Sequence, residues 1–336
     1  MRKSPGKNGV RDEGSLIERF RKSQIPLVHG MRALQIAIGD DAALWRPRPG
    51  CETILTCDWF LEGTHFLSGR HPADSVGWKC LARAVSDIAA MGGEPRCFLL
   101  SLAMPKKRAG EWLANFLKGL REASRVLHCP IAGGDTTQRD QLLINVTVIG
   151  ECERARAVLR SGARPGHAIF VTGRLGEAEY GLRLTQARGK NLKSGDARLQ
   201  KHRYPMPRLE AGAFLARRGL ATAMMDLSDG MSSDLPRLCA ASGVGARIDQ
   251  AKLPCVRIAR HDASKKFDPS QLALNGGDDY ELLFTVAKKN VARIPKRIGR
   301  VALTRIGEIT SEKKILLVSQ RGRSQSINNQ GWDPFR

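Results

Sequence analysis

The sequence lacks the features that would place it in several common protein classes. No apolar run approaches the roughly 18 to 20 residues of a membrane-spanning helix, and the basic N-terminus carries no apolar segment of a secretory signal. The 8 cysteines stand singly without a CxxC pair, so neither a zinc site nor a disulfide framework is indicated. We therefore expect a soluble, cytoplasmic protein with reduced, mostly buried thiols.

The familiar catalytic signatures are also missing. The sequence has no Walker A loop, no HRD or DFG kinase set, no GxSxG elbow and no HExxH zinc motif. Helix-turn-helix, zinc-finger and RNA-recognition signatures are absent as well, and aromatic residues make up only 5% of the chain. A polyphosphate ligand would therefore have to be held through metal ions and not by a P-loop.

Acidic residues are scarce beside basic ones, 33 against 55, which gives a formal net charge of +22. Such an excess attracts polyanions, among them nucleic acid, anionic membrane and nucleotide substrates. The basic residues are densest over 183–208 and 288–323 and are not interleaved with stacking aromatics. We favour the interpretation that these basic residues form a solvated surface and do not serve to bind nucleic acid. We expect no membrane partner.

The length of 336 residues and the hydrophobic content of 42% predict two domains of ordinary size. Apolar strand-like runs such as TILTCDWF alternate with helical stretches such as DSVGWKCLARAVSDIAAMGG, which is typical of an α/β (α+β) fold. The chain turns polar and glycine-rich near residue 155. The predicted organisation is a disordered basic arm over 1–14, an N-terminal domain over 15–153 that starts with a short amphipathic helix, and a C-terminal α/β domain over 154–336.

Aspartates recur in six short stretches, each beside apolar strand or helix residues and often next to glycine. The stretches are IGDDAA (Asp40, Asp41), LTCDWF (Asp58), VSDIAAMGG (Asp87), AGGDTT (Asp135), DLSDG (Asp226, Asp229) and NGGDDYELLF (Asp278, Asp279). Solvated acids are usually scattered among lysine, glutamate and serine, whereas Mg²⁺ needs oxygen ligands from several segments together with phosphates and water. Glycine beside an aspartate lets a phosphate chain approach the backbone closely. The set therefore favours a magnesium–phosphate site.

Each stretch also has a structural interpretation when it is taken alone. A Gly-Asp pair is a common turn signal, and DLSDG fits an Asx-turn with a helix cap. His65 is more often a satisfied structural histidine than a ligand contact. Asp87 is less easily explained, because it falls near a helix C-terminus, where the helix dipole disfavours a negative side chain.

The order and spacing of these motifs resemble the thiamine-monophosphate kinase family. The resemblance rests on GDDAAL, TCDWFLEGTHF, AGGDTT, MDLSDGMSSDL, GGDDYELLFTV and the closing GWDPF, and it runs from Ser15 to Phe335. That family belongs to the superfamily of aminoimidazole ribonucleotide synthetase and selenophosphate synthetase. The resemblance implies ATP-dependent phosphorylation of thiamine monophosphate by direct in-line transfer with several Mg²⁺ ions. It also implies a homodimer whose N-terminal sheets pair into a shared barrel.

The resemblance further implies roles for individual residues. The expected metal ligands are Asp41, Thr56, Cys57, Asp58, Asp87, Asp135, Asp226 and Asp229, of which Asp58, Asp135 and Asp229 are the expected catalytic residues. Gly134, Asp135, Arg160 and Ser228 would contact the nucleotide. His65, Asp278 and Trp332 would contact thiamine phosphate, with Trp332 either stacking on the thiamine ring or serving as a packing plug.

Five positions depart from the family pattern. Cys57 replaces a threonine or serine, Asp278 replaces a glutamate, and His167 replaces an aspartate. Leu117 falls where an aromatic residue often lies near adenine, and the closing GWDPF has Pro334 where histidine is common. A thiol is a poor ligand for a hard metal, so Cys57 would serve through its backbone oxygen. The alternatives to the kinase are another ATP-using synthetase of the superfamily and a non-catalytic polyanion-binding relative.

Overall fold

The computed structural model describes residues 13–23, 34–38, 41–188, 195–260, 262, 267–328 and 330–332. The chain divides into two compact units. Unit 1 comprises Met1–Ile88 and Glu94–Cys152, and unit 2 comprises Ala89–Gly93 and Glu153–Arg336. The expected basic arm lies outside the described residues except for Glu13 and Gly14, which begin the first helix.

In its described residues, unit 1 combines a four-stranded sheet with three α-helices and a small two-stranded ribbon. Its elements are α1 Glu13–Ser23, β1 Leu34–Ile36, β2 Leu44–Trp45, β3 Cys51–Leu61, α2 Ala73–Ala90, β4 Glu94–Met104, α3 Glu111–Val126, β5 Ile131–Gln138 and β6 Leu143–Glu153. The last residues of α2 already belong to unit 2. The sheet order is β3-β6-β4-β5, with β4 antiparallel to β6 and parallel to β5.

Alternation along β3 divides the sheet into two faces. Ile54 and Phe60 are buried, and Arg83 of α2 places its guanidinium carbon 5.4 Å from the centroid of the Phe60 ring. On the opposite face Leu55 is 69% exposed and Trp59 is 55% exposed. We call the outward-facing residues Leu55, Cys57, Trp59 and Leu99 the open sheet face.

Unit 2 is built on an eight-stranded mixed sheet. Its elements are β7 Ala168–Thr172, α4 Glu177–Arg188, α5 Gln200–Arg203, α6 Leu209–Arg217, β8 Ala221–Leu227, α7 Met231–Ser242, β9 Gly245–Asp249, α8 Pro269–Asn275, β10 Glu281–Val286, β11 Arg297–Ile298, β12 Val301–Thr310, β13 Ile315–Val318 and β14 Ser324–Ser326. The strand order is β14-β13-β9-β12-β7-β10-β8, and β11 pairs with β12.

Every residue of β7 and β10 is buried, which explains their largely apolar sequences, AIFVT and ELLFTV. One apolar cluster includes residues of α7 and α8, among them Leu235 and Leu274, and another includes residues of α6, among them Leu215. A two-domain α/β fold with mixed sheets is therefore confirmed.

Helix α7 begins directly after Gly230, and Pro236 lies inside it as its sixth residue. In the described part of the chain, no helix is long and apolar enough to cross a membrane.

Candidate active site

The DLSDG segment forms the turn between β8 and α7, at the end of the unit 2 sheet. Because Glu281 pairs with Leu227 in antiparallel register, the GGDDY segment that precedes β10 lies at the same end. The amide of Asp278 donates to the carbonyl of Ser228 at 2.8 Å, and that of Tyr280 donates to the carbonyl of Leu227 at 2.9 Å. Two sequence-distant aspartate motifs are thereby joined through their main chains.

The GGDDY segment holds its side chains in an unusual backbone conformation. Asp278 has a φ of +66° and Tyr280 a φ of +49°, values that residues with side chains seldom adopt. The Tyr280 hydroxyl donates to Oδ1 of Asp278 at 2.8 Å. The carboxyl of Asp279 accepts the amides of Gly176 and Ala178 at the start of α4, at 2.5 and 3.1 Å. The segment is thus fixed on both sides, with Asp278 held by Tyr280.

The C-terminal segment adds the expected indole to this cluster. The amide of Trp332 donates to the carbonyl of Asp229 at 3.0 Å, and the side chain of Trp332 remains 40% exposed. A Cβ at Gly331 would overlap the carbonyl oxygen of Asp229 and the hydroxyl of Ser233, so only glycine permits this approach. An exposure of 40% disfavours the packing-plug interpretation of Trp332.

Arg160, the expected nucleotide contact of unit 2, lies in the segment between β6 and β7. Arg160 is exposed, and its carbonyl oxygen accepts a hydrogen bond from the Ser242 hydroxyl at 3.2 Å. The preceding carbonyl, that of Leu159, accepts the amide of Met224 in β8 at 2.9 Å. The main chain of Arg160 is therefore anchored within unit 2, while its guanidinium is accessible.

In unit 1, β3 and α2 bring two expected metal ligands into contact. The Thr56 hydroxyl donates a short hydrogen bond to Oδ2 of Asp87, in the last turn of α2. Asp58, two residues further along the same face of β3, accepts from Nε of Arg83 at 3.3 Å. Thr56, Asp58 and Asp87 thus line the junction between β3 and α2.

Cys57 points away from that junction. It lies on the open sheet face, where its thiol donates to Oδ1 of Asn145 at 3.3 Å and accepts from the Thr147 hydroxyl at 3.5 Å. Any role of Cys57 as a metal ligand would therefore fall to its backbone oxygen. The two-residue period of a strand already indicates this sidedness, because Thr56 and Asp58 flank Cys57.

The AGGDTT segment forms β5, whose register places Gly134 beside Leu100 and Asp135 beside Ser101. Gly134 has a φ of +153°, and a Cβ there would overlap the carbonyl oxygen of Leu100. Asp135 is exposed, and its own Oδ1 accepts the amide of Thr136 at 2.8 Å. Close packing against β4 therefore requires glycine at position 134. The main chain there carries no side chain, and it lies next to the exposed carboxylate of Asp135.

A cavity of about 990 Å³ adjoins this surface within unit 1. Asp41, Gly134 and Asp135 line it, together with apolar side chains that include Trp45 and Leu99. Gly39 and Asp40, the first residues of the GDD motif, lie outside the described residues. Leu117, which falls where the resemblance places an aromatic residue near adenine, is buried in α3 and is not among the residues that line this cavity.

His65 lies in the turn after β3. Its Nδ1 accepts the amide of Leu61 at 3.0 Å, and its ring centroid lies 5.9 Å from that of Phe60. These contacts fit the structural interpretation of His65 and also fix the orientation of its ring. His167, which stands where the family pattern has an aspartate, forms a hydrogen bond through Nδ1 with the Thr222 hydroxyl at 2.9 Å. The same Nδ1 accepts the amide of Arg164.

Among the described residues, no group of three or more histidine, cysteine, aspartate or glutamate side chains is close enough to hold a metal ion. The donors present are hard oxygens, and two of the carboxylates already face cations: Asp58 faces Arg83, and Asp229 faces Arg237. This donor set fits Mg²⁺, which uses few protein carboxylates and completes its shell with phosphate and water.

Sequence reasoning missed three residues that organise the site, namely Tyr280, Asp234 and Arg237. Tyr280 contacts Asp278, and the other two contact Asp229. Asp234 and Arg237 are spaced i and i+3 on α7, a spacing that permits pairing on a helix. Their contacts with the turn depend on where α7 begins, which the sequence did not specify.

Comparison with known proteins places the chain in a family. The family described as AIR synthase related protein, N-terminal domain, matches residues 39–152, and the corresponding C-terminal domain matches residues 164–319. The thiamine-monophosphate kinase of Escherichia coli strain K12 is 36% identical over 335 residues, covering 96% of this chain and 98% of that protein.

Solved structures agree with the sequence comparison. The thiamine-monophosphate kinase of Stenotrophomonas maltophilia K279a has a TM-score of 0.80 and 33% identity, covering 92% of this chain and 96% of its own. AaThiL complexed with AMPPCP and TMP has a TM-score of 0.74 and 30% identity, covering 96% of this chain and 97% of its own. This chain therefore belongs to the thiamine-monophosphate kinase family.

Proposed function

We propose that this chain carries out its family's reaction, in which ATP phosphorylates thiamine monophosphate to thiamine diphosphate, by direct in-line transfer assisted by Mg²⁺. The observation that carries the proposal is the gathering of Asp229, Asp278 and Trp332 at one end of the unit 2 sheet by main-chain hydrogen bonds. Carboxylates suit cation-bridged phosphates, and an exposed indole offers a face to an aromatic ring. The complex of AaThiL with AMPPCP and TMP supports the same pair of ligand classes.

The chemistry makes modest demands on the protein. The attacking oxygen belongs to a phosphate that is already ionised at neutral pH, so the reaction needs no strong general base. The main obstacle is repulsion between two anions, which preorganised positive charge relieves. Arg160, with its accessible guanidinium, is the residue that we assign to phosphate contact in unit 2.

The carboxylates of each unit would hold Mg²⁺, which would supply positive charge to neutralise the negative charge that builds up during transfer. In unit 1 these ligands are Asp41, Thr56, Asp58, Asp87 and Asp135, with the backbone oxygen of Cys57. In unit 2 they are Asp226 and Asp229. Asp226 is only 4% exposed, so its carboxylate depends on a partner in the folded protein.

We place the nucleotide on unit 1 next to Gly134. The main chain at Gly134 carries no side chain to obstruct a phosphate, and the adjoining cavity of about 990 Å³ is large enough for a nucleoside. Its apolar wall includes Trp45, which suits a base.

We also propose that the open sheet face pairs with a second copy of the chain. Leu55 and Trp59 are 69% and 55% exposed, and adjacent exposed apolar side chains on one sheet face are typical of an interface. The variant Leu55→Asp is expected to be monomeric in analytical ultracentrifugation, whereas the wild type is dimeric. Leu159→Asp, which changes a 52% exposed leucine of unit 2, is the control and keeps the mass of the wild type. A monomeric wild type contradicts the pairing.

The function is tested by incubating the purified chain with ATP, Mg²⁺ and thiamine monophosphate and separating thiamine phosphates by chromatography. We expect thiamine diphosphate to form only with metal present, and free thiamine to be a poor substrate. No product from a folded chain would contradict the proposal. Turnover of ATP with another acceptor would favour a different synthetase of the superfamily.

A further inference from the structure

Asp234 fixes the DLSDG turn from the first turn of α7. Its side chain is fully buried, and its Oδ2 accepts the amides of Ser228 and Asp229, each at 3.1 Å. A carboxylate that accepts two consecutive amides immobilises the main chain that carries them. The position of Asp229 is therefore set by Asp234 before any ligand binds.

Arg237 then connects these two aspartates. Its Nη1 donates to Oδ1 of Asp234 at 2.8 Å and also to Oδ2 of Asp229 in a short ion pair. The Asp229 side chain is 22% exposed and that of Arg237 is 44% exposed, so the pair lies at the mouth of the cluster and not in the core. A single guanidinium thus balances two neighbouring carboxylates.

The same carboxylate cannot serve both cations well. A divalent ion on Asp229 would lie within a few ångströms of the guanidinium and repel it, and Arg237 would also compete for the lone pairs of Oδ2. Arg237 has the means to leave, because its long side chain is partly solvated and Asp234 remains as a second partner. Binding of a metal to Asp229 and the Arg237–Asp229 pair therefore compete with each other.

We propose that Arg237 is a resident counter-cation, which occupies Asp229 in the metal-free protein and is displaced when a divalent cation binds. The inference rests on the proposed role of Asp229 as a metal ligand. Arg237 keeps the carboxylate oriented and limits its repulsion with Asp234, at the cost of a weaker affinity for the metal. It is a positioning residue that tunes the metal concentration at which the site fills.

The test is the binding of Mn²⁺ to the full chain without substrates, measured by electron paramagnetic resonance. Arg237→Gln is expected to lower the dissociation constant roughly twofold to fivefold, the range expected for a partly exposed ion pair. Arg305→Gln is the matched control, because it removes the same charge from an exposed pair with Glu308 elsewhere in unit 2. It is expected to leave the dissociation constant unchanged.

A second comparison shows whether the effect passes through Asp229. In an Asp229→Asn background, adding Arg237→Gln is expected to leave Mn²⁺ affinity unchanged, because the shared carboxylate is gone. Equal or weaker Mn²⁺ binding by Arg237→Gln with an unchanged melting temperature would overturn the proposal, as would the absence of Mn²⁺ binding in both the wild type and this variant. Since no substrate is present, failure of the kinase proposal would show separately, in the product assay.

Discussion

Replacing Glu281 with glutamine is expected to destabilise the protein strongly. The Glu281 side chain is fully buried at the start of β10 and accepts from Thr172 Oγ1 at 2.7 Å, Lys201 Nζ at 2.8 Å and Arg208 Nε at 2.6 Å. Burial alone raises the pKa of Glu281, but the hydrogen bonds and charges of Arg208 and Lys201 outweigh it and lower the pKa. The carboxylate is therefore ionised at neutral pH and balances two cations.

The magnitude follows from what glutamine cannot replace. Hydrogen bonds to charged groups contribute about 1.5–3 kcal/mol each, and glutamine keeps only one acceptor while turning an N–H toward the guanidinium of Arg208. Because Lys201 is partly solvated, the loss of unfolding free energy is smaller than the sum of these hydrogen bonds. We expect about 3–5 kcal/mol, the range for a broken buried ion pair. For a unit of this size that corresponds to a fall in melting temperature of roughly 6–20 °C.

The assay is thermal and urea unfolding of Glu281→Gln beside a matched control. Glu308→Gln removes a carboxylate whose pair with Arg305 spans 3.6 Å, with the two side chains 54% and 51% exposed. Such a pair contributes less than about 1 kcal/mol, so the control should unfold almost like the wild type. A loss in Glu281→Gln as small as that in Glu308→Gln would refute the reasoning.

Three further predictions concern the site. Asp58→Asn should abolish thiamine diphosphate formation while the melting temperature stays nearly unchanged. The control Asp74→Asn, outside the predicted metal ligands, should keep the activity of the wild type. A fully active Asp58→Asn would remove Asp58 from the predicted metal ligands. Gly134→Ala should weaken ATP binding in calorimetry and lower the melting temperature, because the added Cβ overlaps the carbonyl oxygen of Leu100. In the control Gly133→Ala the added Cβ makes only an ordinary contact at 3.4 Å, so this variant should resemble the wild type. Equal behaviour of the two variants would contradict the reasoning. Burial raises the pKa of Asp279 to about 8 from 3.8, so folded-state stability is lost as the pH rises between these values. In urea unfolding, the stability advantage of the wild type over Asp279→Asn should shrink across that range, and a constant difference would refute the assignment.

Much of the local structure follows from sequence periodicity. The short helix expected at the start of the N-terminal domain is confirmed as α1, and the apolar run TILTCDWF lies within β3. The turn expected at DLSDG lies between the end of β8 and the start of α7. These elements are specified by neighbours along the chain, which is the information that a single sequence carries best.

The side-chain partners of the site were not predictable in the same way. Arg83 reaches Asp58 across 25 positions, and Tyr280 reaches Asp278 only because both adopt a positive φ. Such contacts depend on packing between elements and on backbone strain, which no local pattern encodes. The motifs predicted which aspartates belong to the site, whereas the structure supplied the residues that hold Asp58, Asp229 and Asp278 in place.

The central claim is that the chain transfers the terminal phosphoryl group of ATP directly to thiamine monophosphate. The most direct measurement is an acid-quenched reaction with ATP labelled at its γ-phosphate, in which the label is traced to thiamine diphosphate, inorganic phosphate and protein. The account predicts one labelled thiamine diphosphate for each ADP formed and no label on the protein. Label retained on the protein, or released as inorganic phosphate without thiamine diphosphate, would contradict it.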